Sequence, residues 1–297
     1  MFSSLAGCAM ERMERETMMK RRALAFMLAL ILVLPTWTGF CQNALAEKSS
    51  PRSITILLLG SDQTEGEARN ASAIIIAALN LDTGVVRLAS VNRDIVTKGA
   101  DGGDMKLGMT MALVGPRLAL ETINDLFGLD ITQFISVDLS GMEKIINALD
   151  GVDIDVRVSE LAILMADKKT KAFQKAGLQT LSGAQALAYM KDHTGEGEDA
   201  GGSHLMKVLA ACMQKGVKMG FDSLIKLVSE LVAYVETNMT LMDMMEVALN
   251  VMSAGISQME TASFPSKEVL ERLNHQNPMA TENTEEATEL KDFLYGR

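Results

Sequence analysis

The chain has 297 residues, of which 48% are hydrophobic and 22% charged, so its composition is that of a globular protein rather than a disordered or fibrous one. Its formal net charge of −10 argues against general binding of nucleic acid, because phosphates select basic surfaces. Three cysteines and three histidines stand too far apart for a disulfide framework or a zinc site.

The N-terminal 46 residues have the pattern of an export segment. A basic triplet at 20–22 is followed by an uncharged apolar run at 23–40 and then by Ala-Leu-Ala, which ends at Ala46. Two interpretations stay open, since the run suits either a retained membrane anchor at 23–40 or a signal peptide cleaved near Ala46. The signal-like pattern starts at Met19, so the true start is either Met1 or Met19.

Both interpretations predict that the chain is extracytoplasmic, because basic residues flank the cytoplasmic side of such segments. We therefore divide the chain into a leader with signal or anchor at 1–46, a linker at 47–52 and one domain at 53–297.

The first half of that domain alternates strand and helix patterns. β-branched and aliphatic runs predict strands, and residues 80–84 predict a hairpin turn between two of them. Ser140 and Glu143 have the spacing of a capping box that opens a helix. The predicted elements are strands at 53–59, 72–79, 85–91, 134–137 and 152–156, with helices at 116–127 and from 140.

The second half follows a helical period. Ser182 and Gln185 have capping-box spacing, and Thr240 is the expected cap of a later helix. Apolar stripes predict helices around 205–217, 224–235 and 241–252, a last strand at 262–264, a loose polar stretch from 274 and a docking segment at 290–295. The alternation predicts an α/β fold, a three-layer α-β-α sandwich with a mixed central sheet.

Eight short motifs occur in an order that resembles the LytR-CpsA-Psr family of cell-envelope proteins. They are LLLGSD (57–62), ARNAS (68–72), SVNRD (90–94), KLG (106–108), VGP (114–116), LDGVDIDV (149–156), GLQTLSGAQALAYMK (177–191) and TELKDFLYG (288–296). The resemblance implies a phosphotransferase that attaches undecaprenyl-pyrophosphate-linked glycopolymers to peptidoglycan with the aid of Mg²⁺. The alternative is a non-catalytic paralogue that binds polyprenyl pyrophosphate or a partner enzyme.

The resemblance also implies the site residues. Asp62 matches a proposed Mg²⁺ ligand, and Arg69, Arg93 and Asp94 match catalytic positions, of which both arginines bind pyrophosphate. Lys191 and His193 match two further pyrophosphate-binding arginines. Simpler interpretations stay open for four of these residues: a strand-end turn former or helix cap at Asp62, a loop charge at Arg69 and a surface ion pair at Arg93 and Asp94.

The chain departs from the family pattern at several of these positions. Ala71 stands in place of a second metal carboxylate, and Asn92 stands in place of a proline. Lysine and histidine replace arginine at 191 and 193, and the segment 199–207 has no arginine. There His204 is either the nearest cationic candidate or simply a residue near a helix start. The expected partners are a polyprenyl-pyrophosphate-linked glycan, peptidoglycan and the membrane if the N-terminus is uncleaved, without nucleic acid.

Overall fold

A computed structural model describes residues 52–61, 70–99, 102–161, 175–191, 200–265, 269–270 and 285–296. The predicted leader at 1–46 lies outside the described residues. Within the described part, no helix has the length and apolar content needed to cross a bilayer.

A six-stranded mixed sheet forms the centre of the fold. Its strands in chain order are β1 (Ser53–Ser61), β2 (Ala71–Asn80), β3 (Val85–Val91), β6 (Gln133–Asp138), β9 (Glu236–Thr237) and β10 (Gln258–Phe264). Across the sheet they follow the order β10-β3-β2-β1-β6-β9. Two small hairpins accompany it, β4 (Val96–Lys98) with β5 (Asp104–Lys106) and β7 (Val152–Val156) with β8 (Gly177–Leu181).

Four strands of the sheet run in the same direction. β1 pairs with β6 in parallel, and β10 pairs with β3 in parallel. β2 is antiparallel to both β1 and β3, so β1 and β3 share a direction. The carboxyl ends of β1, β3, β6 and β10 therefore meet at one edge of the sheet, where β2 begins.

Helices cover both faces of the sheet. They are α1 (Thr110–Val114), α2 (Pro116–Phe127), α3 (Leu139–Ala148), α4 (Gly183–Lys191), α5 (Ala200–Lys218), α6 (Phe221–Leu231), α7 (Leu241–Ala254) and α8 (Glu285–Tyr295). A single 3₁₀ turn, Leu107–Met109, precedes α1.

Strand alternation divides the core between the two faces. Leu57, Leu59 and Ile76 point to the face where α2 and α8 pack. Ile75 and Leu88 point to the opposite face, against α5. This arrangement confirms the predicted three-layer sandwich with a mixed sheet.

The helix caps confirm two predictions and correct one. Ser182 N–H donates to Gln185 Oε1 at 2.8 Å, and Thr240 and Asp243 form a complete capping box. The prediction that Ser140 caps α3 was wrong. Asp138 is the cap instead and accepts from Gly141 N–H at 2.7 Å, because the helix begins earlier than predicted, directly after β6.

Other boundaries also differ from the prediction. The last strand begins at Gln258 rather than 262, and α6 ends at Leu231, before Val235. The C-terminal helix begins at Glu285, inside the stretch predicted to be loose, and buries Leu290 and Leu294 in the core. The hairpin β4–β5 and strand β8 were not predicted, since runs of three to five half-exposed residues have no clear period.

A close contact between α3 and α4 explains one glycine of the GLQTLSGAQALAYMK motif. A Cβ atom at Gly183 would stand 2.2 Å from the backbone oxygen of Glu143. Asn147 Oδ1 also accepts from Gly183 N–H at 2.8 Å, which fixes the approach of the two helices. Only glycine fits this position without moving one of them.

We predict that Gly183→Ala lowers the free energy of unfolding by about 1–3 kcal/mol, because overpacking separates α3 from α4. The measurement is chemical denaturation. The matched control is Gly216→Ala in α5, where a Cβ atom meets nothing within 4 Å. That variant is expected to be stabilised by about 0.4–1 kcal/mol. Equal effects of both variants would contradict the assignment of a packing role to Gly183.

Candidate active site

The edge where the four parallel strands end is the candidate site. In open α/β sheets, ligands bind outside the carboxyl ends of the strands, where loops supply polar groups. Here the last strand residues are Ser61, Val91, Asp138 and Phe264, and β2 starts beside them at Ala71. Asp62 and Arg69 lie outside the described residues.

Arg93 and Asp94 form a fixed turn directly after β3. Asn92 Oδ1 accepts from Asp94 N–H at 2.9 Å, and Asn92 N–H donates to the Phe264 oxygen at 2.8 Å. A side-chain oxygen that accepts from the backbone N–H two residues later forms an Asx turn, which takes the place of a backbone turn. Asn92, which stands where the family pattern has proline, thus uses both its side chain and its N–H group to fix the turn.

The KLG motif holds this turn from its other side. Gly108 N–H donates to the Arg93 oxygen at 2.9 Å, and Leu107 N–H donates to the Ile95 oxygen at 2.8 Å. A Cβ atom at Gly108 would stand 3.2 Å from the Cβ atom of Arg93, so a small residue is needed there. The Arg93 side chain remains exposed to solvent.

Lys106 forms an ion pair with Asp94. Its Nζ atom lies 2.7 Å from Asp94 Oδ1, and both side chains are about half exposed to solvent. An exposed pair of this kind adds little stability. The pair instead orients the Asp94 carboxylate at the edge.

The start of β2 offers no second carboxylate. Ala71 is buried in the core cluster and pairs in register with Ser61. Ser72 Oγ donates to the Gly60 oxygen at 3.1 Å, which joins β2 to the end of β1. The methyl group of Ala71 is unable to bind a cation, so any metal here depends on other oxygens.

Lys191 lies at the exposed C-terminus of α4, and His193 lies outside the described residues. Within the part of the chain that the structure describes, Lys191 has no hydrogen bond or ion pair. The structure therefore does not join Lys191 to the Arg93–Asp94 turn through a direct contact.

A cavity of about 260 Å³ opens at the carboxyl end of β6. Its lining is mostly polar and includes Ser136, Asp138, Lys144 and Glu236. Asp138 stands in register with Ser61 at the end of β1, so the cavity adjoins the edge that the sequence motifs occupy.

Sequence reasoning missed a buried charge cluster around Glu160. Its Oε1 atom lies 3.0 Å from His204 Nε2 and 3.3 Å from Lys207 Nζ, and Tyr189 OH donates to its Oε2 atom at 3.2 Å. Glu160 and His204 are each only 2% exposed, whereas the Lys207 side chain is 33% exposed. We call these four residues the Glu160 cluster.

The cluster decides between the two interpretations of His204. His204 is buried, stacks on Tyr189 with ring centroids 4.3 Å apart and points to Glu160, so it is not an exposed cation. Lys207 is the member that reaches solvent. Because Glu160 is 44 and 47 residues away from its partners, no local spacing in the sequence indicates the cluster.

Burial raises the pKa of Glu160, but the hydrogen bonds from Arg157 N–H, His204 and Lys207 outweigh it, so the pKa lies below its ordinary 4.5. The carboxylate is therefore ionised at neutral pH, and the adjacent Lys207 favours this charged form. A buried carboxylate with these partners is a structural anchor between α4, α5 and the turn after β7.

The described residues contain no cluster of three or more histidine, cysteine or acidic side chains arranged for a metal. Burial also raises the pKa of the Cys212 thiol to about 12. A thiol with that pKa is protonated at neutral pH and is a poor nucleophile. Cys212 is therefore not a candidate nucleophile. The polar edge of the sheet remains the candidate site.

Comparisons with known proteins bear on the family and the fold of this chain. A sequence model described as the LytR_cpsA_psr family matches residues 40–292. Regulatory protein MsrR of Staphylococcus aureus strain Mu50 is 26% identical over 251 residues, which cover 81% of this chain and 74% of that protein.

A second relative carries an enzymatic name. The polyisoprenyl-teichoic acid--peptidoglycan teichoic acid transferase TagT of Bacillus subtilis strain 168 is 25% identical over 170 residues. That match spans 55% of this chain and 52% of the transferase.

Solved structures show the same fold. A structure of TagT bound to LIIa-WTA superposes with a TM-score of 0.63 at 19% identity, over 82% of this chain and 91% of that one. The crystal structure of Bacillus subtilis TagV superposes with a TM-score of 0.62 at 19% identity, over 82% and 98%. These likenesses establish the fold of this chain.

We predict that Glu160→Gln lowers the free energy of unfolding by about 1.5–3 kcal/mol at pH 7, because it removes the charged acceptor of the hydrogen bonds from Tyr189, Lys207 and the Arg157 N–H group. The matched control is Glu230→Gln, whose pair with Lys226 is exposed and 3.9 Å long, with an expected effect below about 0.5 kcal/mol. Urea denaturation of both variants is the measurement.

The same carboxylate predicts a pH dependence. Since its pKa is lower in the folded state, its stabilisation is fully present above pH 4.5 and is lost as the pH falls through the lowered value. The difference in stability between wild type and Glu160→Gln should therefore shrink below pH 4.5. A constant difference from pH 7 to pH 3 would refute this role.

Proposed function

The chain belongs to the LytR-CpsA-Psr family, and on this premise we propose that it is an exported phosphotransferase that attaches polyprenyl-pyrophosphate-linked glycopolymers to peptidoglycan. The observation that carries the proposal is the Arg93–Asp94 turn, which hydrogen bonds from the N–H groups of Asn92, Asp94 and Gly108 hold at the carboxyl edge of the sheet. The transferase name of the TagT relative supports the same reaction class. That name does not favour the alternative of a non-catalytic paralogue.

The proposed reaction is a phosphoryl transfer. A sugar hydroxyl of peptidoglycan attacks the phosphorus atom next to the glycopolymer, and a phosphodiester bond forms. The bond from that phosphorus to the bridging oxygen breaks, and polyprenyl phosphate leaves. The hydroxyl proton passes to a base, for which Asp94 is the described carboxylate beside the edge.

Arg93 supplies positive charge where the reaction concentrates negative charge. Its guanidinium is exposed at the edge, and the described residues include no ion-pair partner for it. A planar guanidinium binds two phosphate oxygens at once, which suits a pyrophosphate. We propose that Arg69, Lys191 and His193 contribute further charge to the same substrate.

Mg²⁺ is a proposed cofactor. The donor set fits a weak site, because Mg²⁺ is commonly bound by one or two carboxylates together with substrate phosphates. Asp62 would hold it together with phosphate oxygens of the substrate, since Ala71 provides no second carboxylate. When bound, the ion neutralises phosphate charge, while Arg93 orients the phosphates and Asp94 receives the proton.

The location follows from the N-terminal pattern. We propose that the domain acts outside the cytoplasm, either anchored by residues 23–40 or released after cleavage near Ala46. A polyprenyl donor and a peptidoglycan acceptor are both found on that side.

We predict that Arg93→Ala lowers kcat/KM at least about 100-fold, since it removes a charged donor aimed at the phosphates. Turnover is measured with the full chain in detergent, a polyprenyl-pyrophosphate-linked oligosaccharide and peptidoglycan, with and without Mg²⁺. Arg117→Ala is the control, because that exposed arginine pairs with Glu121 on α2. Full activity of Arg93→Ala would overturn the proposed function.

A second prediction tests the base. Asp94→Asn should lower kcat at least about 100-fold with little change in KM, because proton transfer contributes about that much or more. Asp104→Asn is the matched control, since Asp104 forms the other exposed lysine pair of the β4–β5 hairpin. A loss confined to KM would instead assign Asp94 to substrate binding.

A further inference from the structure

Three large apolar side chains project from the segment that follows the KLG motif. Met109 is 47% exposed, Leu113 is 63% exposed and Val114 is 72% exposed. They lie on the 3₁₀ turn and on α1, within six consecutive residues. We call these three residues the apolar tip.

The apolar tip stands on a rigid base. Leu107, Thr110 and Met111 alternate with it along the chain and are at most 2% exposed. Thr110 Oγ1 also donates to the Leu107 oxygen at 2.7 Å. The segment is therefore packed firmly on its inner side, and its outer apolar side chains are held away from the core.

The end of the segment projects into solvent. The chain turns at Gly115, where a Cβ atom would meet nothing within 4 Å, and continues into α2. Leu113 and Val114 immediately precede this turn. Exposed apolar side chains on a projecting turn suit insertion into a lipid bilayer, whereas a ligand is usually bound in a groove.

The apolar tip belongs to the same edge as the candidate active site. The hydrogen bond from Gly108 N–H to the Arg93 oxygen, 2.9 Å long, joins its base to the Arg93–Asp94 turn. Arg93 itself is exposed beside it. Apolar side chains next to an exposed cation match the order of layers in a membrane, where phosphate groups border the acyl region.

We propose that the apolar tip inserts into the surface of the lipid bilayer and brings the Arg93 edge to the pyrophosphate of a membrane-embedded donor. The inference rests on the proposed function, which requires a substrate with a polyprenyl tail. A second copy of the chain is a poorer occupant, because three side chains cover far less than the ~800 Å² per partner of a stable interface.

Tryptophan fluorescence in brominated lipid tests the contact. Trp37 is the chain's single tryptophan, so Trp37→Phe provides a silent background. In that full chain, Leu113→Trp and Val114→Trp are reconstituted separately in phosphatidylcholine and phosphatidylglycerol vesicles with brominated acyl chains. Met242→Trp is the matched control, since Met242 is 72% exposed on α7.

We expect quenching of at least twofold at positions 113 and 114 and little at 242. Equal quenching at the three positions, or none at 113 and 114, would overturn the proposal. So would a blue shift at 113 that rises with protein concentration and is insensitive to bromine, because it would show that a second copy covers the tip.

A kinetic experiment links the contact to catalysis. The double variant Leu113→Asp, Val114→Asp should raise KM severalfold for a donor embedded in vesicles. It should leave kcat, and the KM of a short-chain water-soluble donor, unchanged; an equal rise for both donors would contradict membrane insertion. The quenching experiment does not depend on turnover. An inactive wild type would therefore refute the proposed function, while quenching would still decide whether the apolar tip enters the bilayer.

Discussion

Hydrogen bonding on both sides of β1 is the constraint on which the arrangement of the site depends. β1 pairs antiparallel with β2 and parallel with β6, and its buried residues Leu57 and Leu59 fix which side faces each helical layer. A shift of one residue would turn those side chains to the other face. The register therefore also fixes where the strands end, and with them the position of the Arg93 turn.

The polar edge is built mainly from backbone contacts. The Asn92 turn, the Gly108 bond and the Ser72 bond to β1 all act on main-chain atoms. At Asn92, where the family pattern has proline, the side chain fixes the turn, whereas nothing in the described structure restores the carboxylate absent at Ala71.

The Glu160 cluster performs a different task from the edge. It joins α4 and α5 to the turn after β7 through a buried carboxylate, and its neutral member Tyr189 contacts both the ring of His204 and the amine of Lys207. Such a network is stable only when each member has its partners, because an unpaired buried charge is costly. His204 is consequently a structural residue, although its place in the sequence suggested a cation for phosphate.

The sequence by itself determined the layers, most strand and helix positions, and the family. Period-two and period-3.6 patterns report local burial, and motifs such as SVNRD are contiguous, so both are readable without distances. For the same reason, the sequence alone was enough to name Arg93 and Asp94 as candidate site residues. Only the tertiary structure decided the pairing of Glu160 with His204 and Lys207, the exclusion of alanine at Gly183 and the cap at Asp138. Each of these depends on which groups meet in space after the helices pack, and partners far apart in the chain leave no periodic signal.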